Sequence, residues 1–241
     1  MYLIISLLFI QCFATSIQYN YTEETLTIKG KGELKKIDCF LIYQKIYQTI
    51  YHKEQYKESI QLKQIERNYC DEIKHNITQI KIEEGITSIH KRVFYDFNKL
   101  KTISIPSTVS FIGKKAFAFC TSLENITFEE NSQLENVEEF AFENCEKLKS
   151  FHISSNLTET RFSTVFSGCK SLNNITINEK TELYTVKDYG VYSKDGKKLI
   201  YYPSGLENTH YTIPKEVEMI DSNAFSLSKL KSILLDRKSV V

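Results

Sequence analysis

The feature that most limits what this chain can fold into is a repeat. Aligned on a small residue followed by phenylalanine, the blocks VFYDFNKL (93–100), AFAFCTSL (116–123), AFENCEKL (141–148) and VFSGCKSL (165–172) start 23, 25 and 24 residues apart. A fifth, AFSLSKL (224–230), is one residue shorter. Each block runs into an alternating apolar pair: Ile103 and Ile105, Ile126 and Phe128, Phe151 and Ile153, Ile175 and Ile177, Ile233 and Leu235. Period-two spacing turns both apolar side chains of a pair to one face of a short strand. A turn follows, with proline in ISIP and YTIP, then an apolar residue and the next block.

One such unit, a strand, a turn and a short helical or irregular return, has too little apolar surface to bury alone and covers it only by stacking on its neighbours. The expected fold is therefore an α/β repeat solenoid with a parallel strand ladder. Its residue types fit. The Ala or Val heading each block is small where the return passes close to the strand layer, the Phe fills the coil interior, and the Leu seven residues after the Ala closes it. Like residues should stack in columns about 4.8 Å apart, the spacing of adjacent strands.

Residues 105–126, IPSTVSFIGKKAFAFCTSLENI, resemble the signature repeat of the BspA-like leucine-rich repeat family, with IP, V, IG, AF, C, L and I in register. IEEGITSIHKRVFYDFNKLKTI and IPKEVEMIDSNAFSLSKLKSI follow the same pattern, with His90 and Asp221 in place of the glycine of IG. YTEETLTIKGKGEL (21–34) is similar to the strand pair that opens many such proteins. LYTVKDYGVYSKDGKKLIYYPSG (183–205) resembles the hairpin insertion they carry between repeats, and Asp195-Gly196 between two tyrosine-rich runs is itself a tight-turn signal. The resemblance implies a surface or secreted protein engaged in adhesion to cells, matrix proteins or other microbes.

The organisation expected is a signal peptide over 1–16, a strand pair and helical cap over 17–78, repeats over 79–182, the hairpin insertion over 183–207, and a further repeat over 208–241 that breaks off after its strand. The leader reading rests on the apolar run MYLIISLLFIQCFATS ending in small residues; an uncleaved anchor or a buried first strand stays open beside it. Within 38–75, Ile42, Ile46 and Ile50, then Ile60 and Ile65, are spaced for one or two amphipathic helices that would cover the end of the first coil. A membrane-surface helix is the other reading.

The 31 basic and 30 acidic residues nearly cancel and form no long like-charge block, which argues against nucleic acid as a partner. No reactive constellation, cofactor fingerprint or CxxC spacing occurs, so the expectation is a protein that is not an enzyme and has no metal site and no cofactor. Cys120, Cys145 and Cys169 share one repeat position and should form a buried column of inert thiols. Cys39 and Cys70 flank the helical segment, and a disulfide between them is plausible after export. Sequons at Asn20, Asn76, Asn125, Asn156 and Asn174 are glycosylation candidates that agree with export.

In an I-x-I strand the middle residue faces away from the core. The outward ladder would read Lys81, Ser104, Thr127, His152, Thr176 and Thr212, flanked by Gln79, Thr102, Asn125, Ser150, Asn174 and His210. This polar face is either merely solvated or the site for a protein or glycan ligand at a cell or matrix surface. A structural coat or spacer without a specific ligand is the competing function. Asn125 and Asn174 would place glycans on that same face. After the last strand, SILLDRKSVV, no helix or polar cap follows, which reads as a truncated product, as a piece of a longer surface protein whose anchor lies further on, or as a site of self-association through the C-terminal coil.

Overall fold

The structure, a computed structural model, describes residues 8–10, 17–21, 24–34, 74–158 and 160–236. The expected helical cap and the Cys39–Cys70 pair lie outside these residues, as does most of the expected leader. In chain order the strands are β1 Leu8–Ile10, β2 Ile17–Tyr21, β3 Thr25–Gly30, β4 Gly32–Leu34, β5 Gln79–Ile82, β6 Ile86–Ile89, β7 Thr102–Ile105, β8 Phe111–Ile112 and β9 Asn125–Phe128. They continue as β10 Asn136–Val137, β11 Ser150–Ile153, β12 Asn174–Ile177, β13 Tyr184–Lys187, β14 Gly190–Ser193, β15 Lys198–Tyr201, β16 His210–Ile213, β17 Met219–Ile220 and β18 Ser232–Leu235.

Each early coil has three sides. The I-x-I segments supply the first, a parallel ladder β3-β5-β7-β9 that β2 and β1 extend antiparallel. The apolar residues before each AF block supply the second, the parallel ladder β4-β6-β8-β10. Its later members, β8 and β10, are only two residues long.

The AF blocks form the third side. Where a helical or irregular return was expected, most are successive turns, and helix among the described residues is confined to short turns such as Phe162–Val165. Left-handed residues recur four apart: Arg92 and Asp96, Lys115 and Phe119, Phe140 and Asn144, Asn223 and Leu227. A non-glycine residue held there costs about 1–2 kcal/mol. The reversals turn N–H groups along the solenoid axis, where each finds a carbonyl one coil on: Phe94 donates to Ala116 (2.8 Å), Phe117 to Ala141 (2.8 Å) and Phe142 to Val165 (3.1 Å). Asp96 to Ala118, Phe119 to Glu143 and Asn144 to Ser167 repeat the pattern at 2.9, 2.8 and 2.7 Å. These bonds satisfy a buried backbone that neither strand ladder reaches.

Inside the coil the expected columns form. Phe94, Phe117, Phe142 and Phe166 stack with ring centroids 5.1, 5.2 and 5.9 Å apart. Ala116 and Ala141, and Leu100, Leu123, Leu148 and Leu172, are completely buried. Cys120, Cys145 and Cys169 are buried free thiols, and each donates to a carbonyl of the preceding coil, at Phe94, Phe117 and Phe142 (3.2, 3.2 and 3.1 Å). Burial pushes the Cys145 and Cys169 thiols far up from their ordinary range, which keeps them protonated and unreactive. Gly113, the glycine of IG, lies so close to the previous coil that a Cβ there would sit 2.7 Å from the Lys91 nitrogen.

The hairpin sits within a coil and not between two. β12 leads into the antiparallel hairpin β13–β14, and the Asp195-Gly196 turn carries the chain into β15. β15 then takes the second-ladder position, parallel to β17, and YYPSGL makes the return. Tyr202 donates to Ala224 (2.8 Å), the Ser204 hydroxyl to Cys169 (2.8 Å) and the Gly205 amide to Leu172 (2.7 Å). Tyr201 ends the phenylalanine column, 6.0 Å from Phe166. Beyond it a second, tyrosine-rich cluster of Tyr192, Leu199, Tyr202, Leu206 and Tyr211 underlies the last coil.

Phe117 has rings stacked on both sides, so Phe117→Ala should cost about 3–5 kcal/mol in urea unfolding, while Thr127→Ala on the outer face should stay within about 0.5 kcal/mol. A Phe117→Ala loss below 1 kcal/mol would show that the column does not hold the coils together.

Candidate binding face

The I-x-I alternation places the predicted ladder as read. Thr27, Lys81, Ser104 and Thr127 are successive register partners across β3, β5, β7 and β9, and Thr25, Gln79, Thr102 and Asn125 form a second row beside them. His152 pairs with Thr176 and Ser150 with Asn174 across β11 and β12. Thr212 is brought beside Leu234, and His210 beside Ser232, across β16 and β18. Lys81, Thr127, Thr176 and Thr212 are exposed; Ser104 and His152 are half-buried.

The ladder is not one continuous sheet. β9 is not paired to β11, nor β12 to β16. The second interruption follows from the hairpin. The first has a local cause: between Phe128 and Leu134 the chain spends five residues, 129–133, where the previous coil spends three, 106–108. This is the coil whose repeat is 25 residues long. The longer loop passes through a left-handed Asn131 (φ 61°). Ile126 and Phe128 are only partly buried, in contrast to Ile103 and Ile105, and the Phe128 ring meets Phe151 edge-on at 5.4 Å.

A groove of about 490 Å³ opens at this break, lined by Phe128, the 129–133 loop, His152, Asn156, Asn178 and Lys180. His152 Nδ1 lies 2.9 Å from the Thr176 hydroxyl. The Asn156 amide donates toward Gln133 Oε1 at 3.4 Å and its own oxygen accepts from the Ser155 hydroxyl at 3.1 Å. Gln133 Nε2 donates to the Asn131 carbonyl (3.1 Å), and Asn178 Oδ1 accepts the Lys180 amide (3.0 Å). Sequence reasoning selected His152 and Asn156 singly but missed the groove; its signal was the pair of extra residues in that repeat.

The other sequence candidates are spread out. Asn76, Asn125, Asn156 and Asn174 are exposed, as a glycan acceptor must be, while Asn20 lies on the backbone of β2. Among the described residues, no three His, Cys, Asp or Glu side chains come together in a cluster that could hold a metal ion. No helix among them is long and apolar enough to cross a membrane.

Partial burial lowers the His152 pKa from its ordinary 6.5, favouring the neutral ring. As pH falls, the unfolded chain takes up this proton first, so stability erodes as pH drops through about 6.5 and stops changing once the folded ring is charged as well. NMR titration should give His152 a midpoint below 6.5, and His152→Gln should remove this part of the acid loss. A midpoint at or above 6.5 contradicts the assignment.

A model of the BspA type leucine rich repeat region, built of six copies, matches residues 63–194 and again 162–240. Among solved structures, a leucine-rich repeat protein from Eubacterium ventriosum aligns over 91% of this chain and 57% of its own, at 23% identity and a TM-score of 0.62. The pneumococcal vaccine antigen PcpA aligns over 94% of this chain and 64% of its own, at 21% identity and a TM-score of 0.58. The chain thus spans less than two thirds of either structure, and at these identities the likeness is one of fold. No curated protein matches it. The repeats in register, the stacked phenylalanine and cysteine columns and the family match together make this chain a member of the BspA-type leucine-rich repeat family.

Proposed function

We propose that the chain is an exported, surface-exposed or secreted recognition protein that mediates protein–protein or cell adhesion through the outward face of its first strand ladder, without catalysis. The observation that supports this most is the in-register polar face: Lys81, Ser104 and Thr127 beside Gln79, Thr102 and Asn125. A rigid sheet holds hydroxyl, amide and amine groups at fixed strand spacing, so a partner meets them with little ordering cost on this side. The antigen PcpA, whose fold is similar, is consistent with a surface role.

The sequons bear on where the partner sits. Asn125 and Asn174 stand on the outer face, on strands two coils apart, and glycans there would cover Ser150 and His152 between them. The part of the face running from Thr27 to Ser104 stays clear of both. Binding of purified protein to immobilised matrix proteins and cell surfaces should be saturable, and the triple variant Thr27→Ala, Lys81→Ala, Ser104→Ala should weaken it at least about tenfold with thermal stability unchanged. Saturable binding that ignores these substitutions moves the site elsewhere; no saturable binding to any surface favours a structural coat or spacer.

A second reading concerns the last described coil. Ile233, Leu234 and Leu235 are 43%, 57% and 54% exposed, and Met219, Ile220 and Leu227 earlier in the final repeat are also exposed. Of these, Ile220, Ile233 and Leu235 stand at positions whose equivalents in an earlier coil, Ile112, Ile103 and Ile105, are buried. We propose that this surface stacks end to end, so light scattering should show mass rising with concentration, and Ile233→Lys with Leu235→Lys should abolish the rise. A constant monomer mass across the range refutes it.

A further inference from the structure

We propose that the groove at the break between β9 and β11 is a saccharide site, taking one or two neutral sugar units at the end of a glycan; this rests on the reading of the chain as a recognition protein. The volume, about 490 Å³, lies within the range of about 300–1,000 Å³ usual for small-ligand sites. Its chemistry selects the class. Asn131, Gln133, Asn156 and Asn178 contribute four carboxamides, each offering two N–H donors and an acceptor oxygen, which is the mixture that neighbouring sugar hydroxyls require. The bonds among Gln133, Asn131, Asn156, Ser155, Asn178 and Lys180 engage only part of that capacity and hold the amides in place beforehand.

The half-buried Phe128 ring adds an apolar patch of the kind on which the C–H face of a pyranose packs. Glu129 and Glu130 on the loop disfavour phosphate, sulfate and acidic sugars. The lining is too polar for a lipid tail or an apolar peptide anchor. The groove also depends on what is peculiar to this coil. A loop of the length found at 106–108 would bring the chain straight back and leave no recess beside β9.

Asn156 opens a sequon, and a glycan on it would fill the groove, so the test uses full-length chain made in bacteria without N-glycans. The probe is an array of neutral mono- and disaccharide-terminated glycans, with titration of any positive sugar followed by the His152 ring resonances in NMR. The expected result is saturable binding that shifts His152. Gln133→Ala with Asn156→Ala should weaken it about tenfold or more, as loss of one or two hydrogen bonds implies. Both substitutions are at exposed positions, and unchanged thermal unfolding confirms that the fold persists. Lys99→Ala, at an exposed position of the turn block 93–100 and outside the groove lining, should leave sugar binding unchanged. Sugar binding that survives the groove variant, or no binding to any arrayed sugar, overturns the proposal. Saturable binding to matrix proteins in a preparation that binds no sugar would overturn this site alone and leave the wider recognition reading standing.

Discussion

Each coil of this protein is stable only because the next coil covers it, and the contact that enforces this is the stacked column running from Phe94 through Phe117 and Phe142 to Phe166 and Tyr201. A single coil of two short strands and a set of turns could not offset the roughly 1–2 kcal/mol per residue of lost backbone entropy. Shared between neighbours, each buried ring serves two coils. The backbone repeats the logic on the third side, where left-handed turns that are unfavourable alone supply hydrogen bonds that exist only when the next coil is present. Stability is thus made of nearest-neighbour interfaces, and damage to one coil weakens its two contacts before it weakens anything further away.

Surface charge follows the same axis. Lys29 with Glu83, Lys149 with Glu124, Lys170 with Glu146, Lys187 with Glu216 and Lys197 with Glu218 pair between adjacent coils at 2.6–3.0 Å. Exposed pairs of this kind are weak and screened by salt, so they tune register and do not hold the fold. With 31 basic and 30 acidic residues and many of them paired locally, the solenoid projects little long-range field. A partner of the proposed kind would then be selected at short range, by hydrogen bonding and shape on the polar face.

Much of the fold is legible in the sequence because a repeat shows the same physical demand several times. The small-Phe pair, the cysteine position and the I-x-I alternation each mark a buried column or a strand face, and the structure places them so. Three features are not legible, for different reasons. The second ladder is built partly from two-residue strands such as Phe111–Ile112, too short to display a period. The left-handed turns fall at Phe119, Phe140 and Leu227, residue types with no local preference for that conformation, because the coil-to-coil bonds decide it. The hairpin was expected between repeats, yet Tyr201 and Tyr202 occupy coil positions where the repeats carry Ala or Val and Phe, so its last strand belongs to the coil.

The break beside β9 shows how such a regular scaffold can acquire a recess. In a uniform ladder every outward side chain meets the same environment, which suits an extended contact but gives no recess for a small ligand. Two added residues in one turn change this at one place: the loop 129–133 bows outward, Phe128 loses part of its cover, and the amides of neighbouring coils come to face one space. The cost is local, because the phenylalanine and cysteine columns pass beneath the break uninterrupted from Phe117 to Phe142 and Phe166. A solenoid can therefore lengthen a surface turn without disturbing its interior, and recognition sites are best sought at the coils whose length departs from the period.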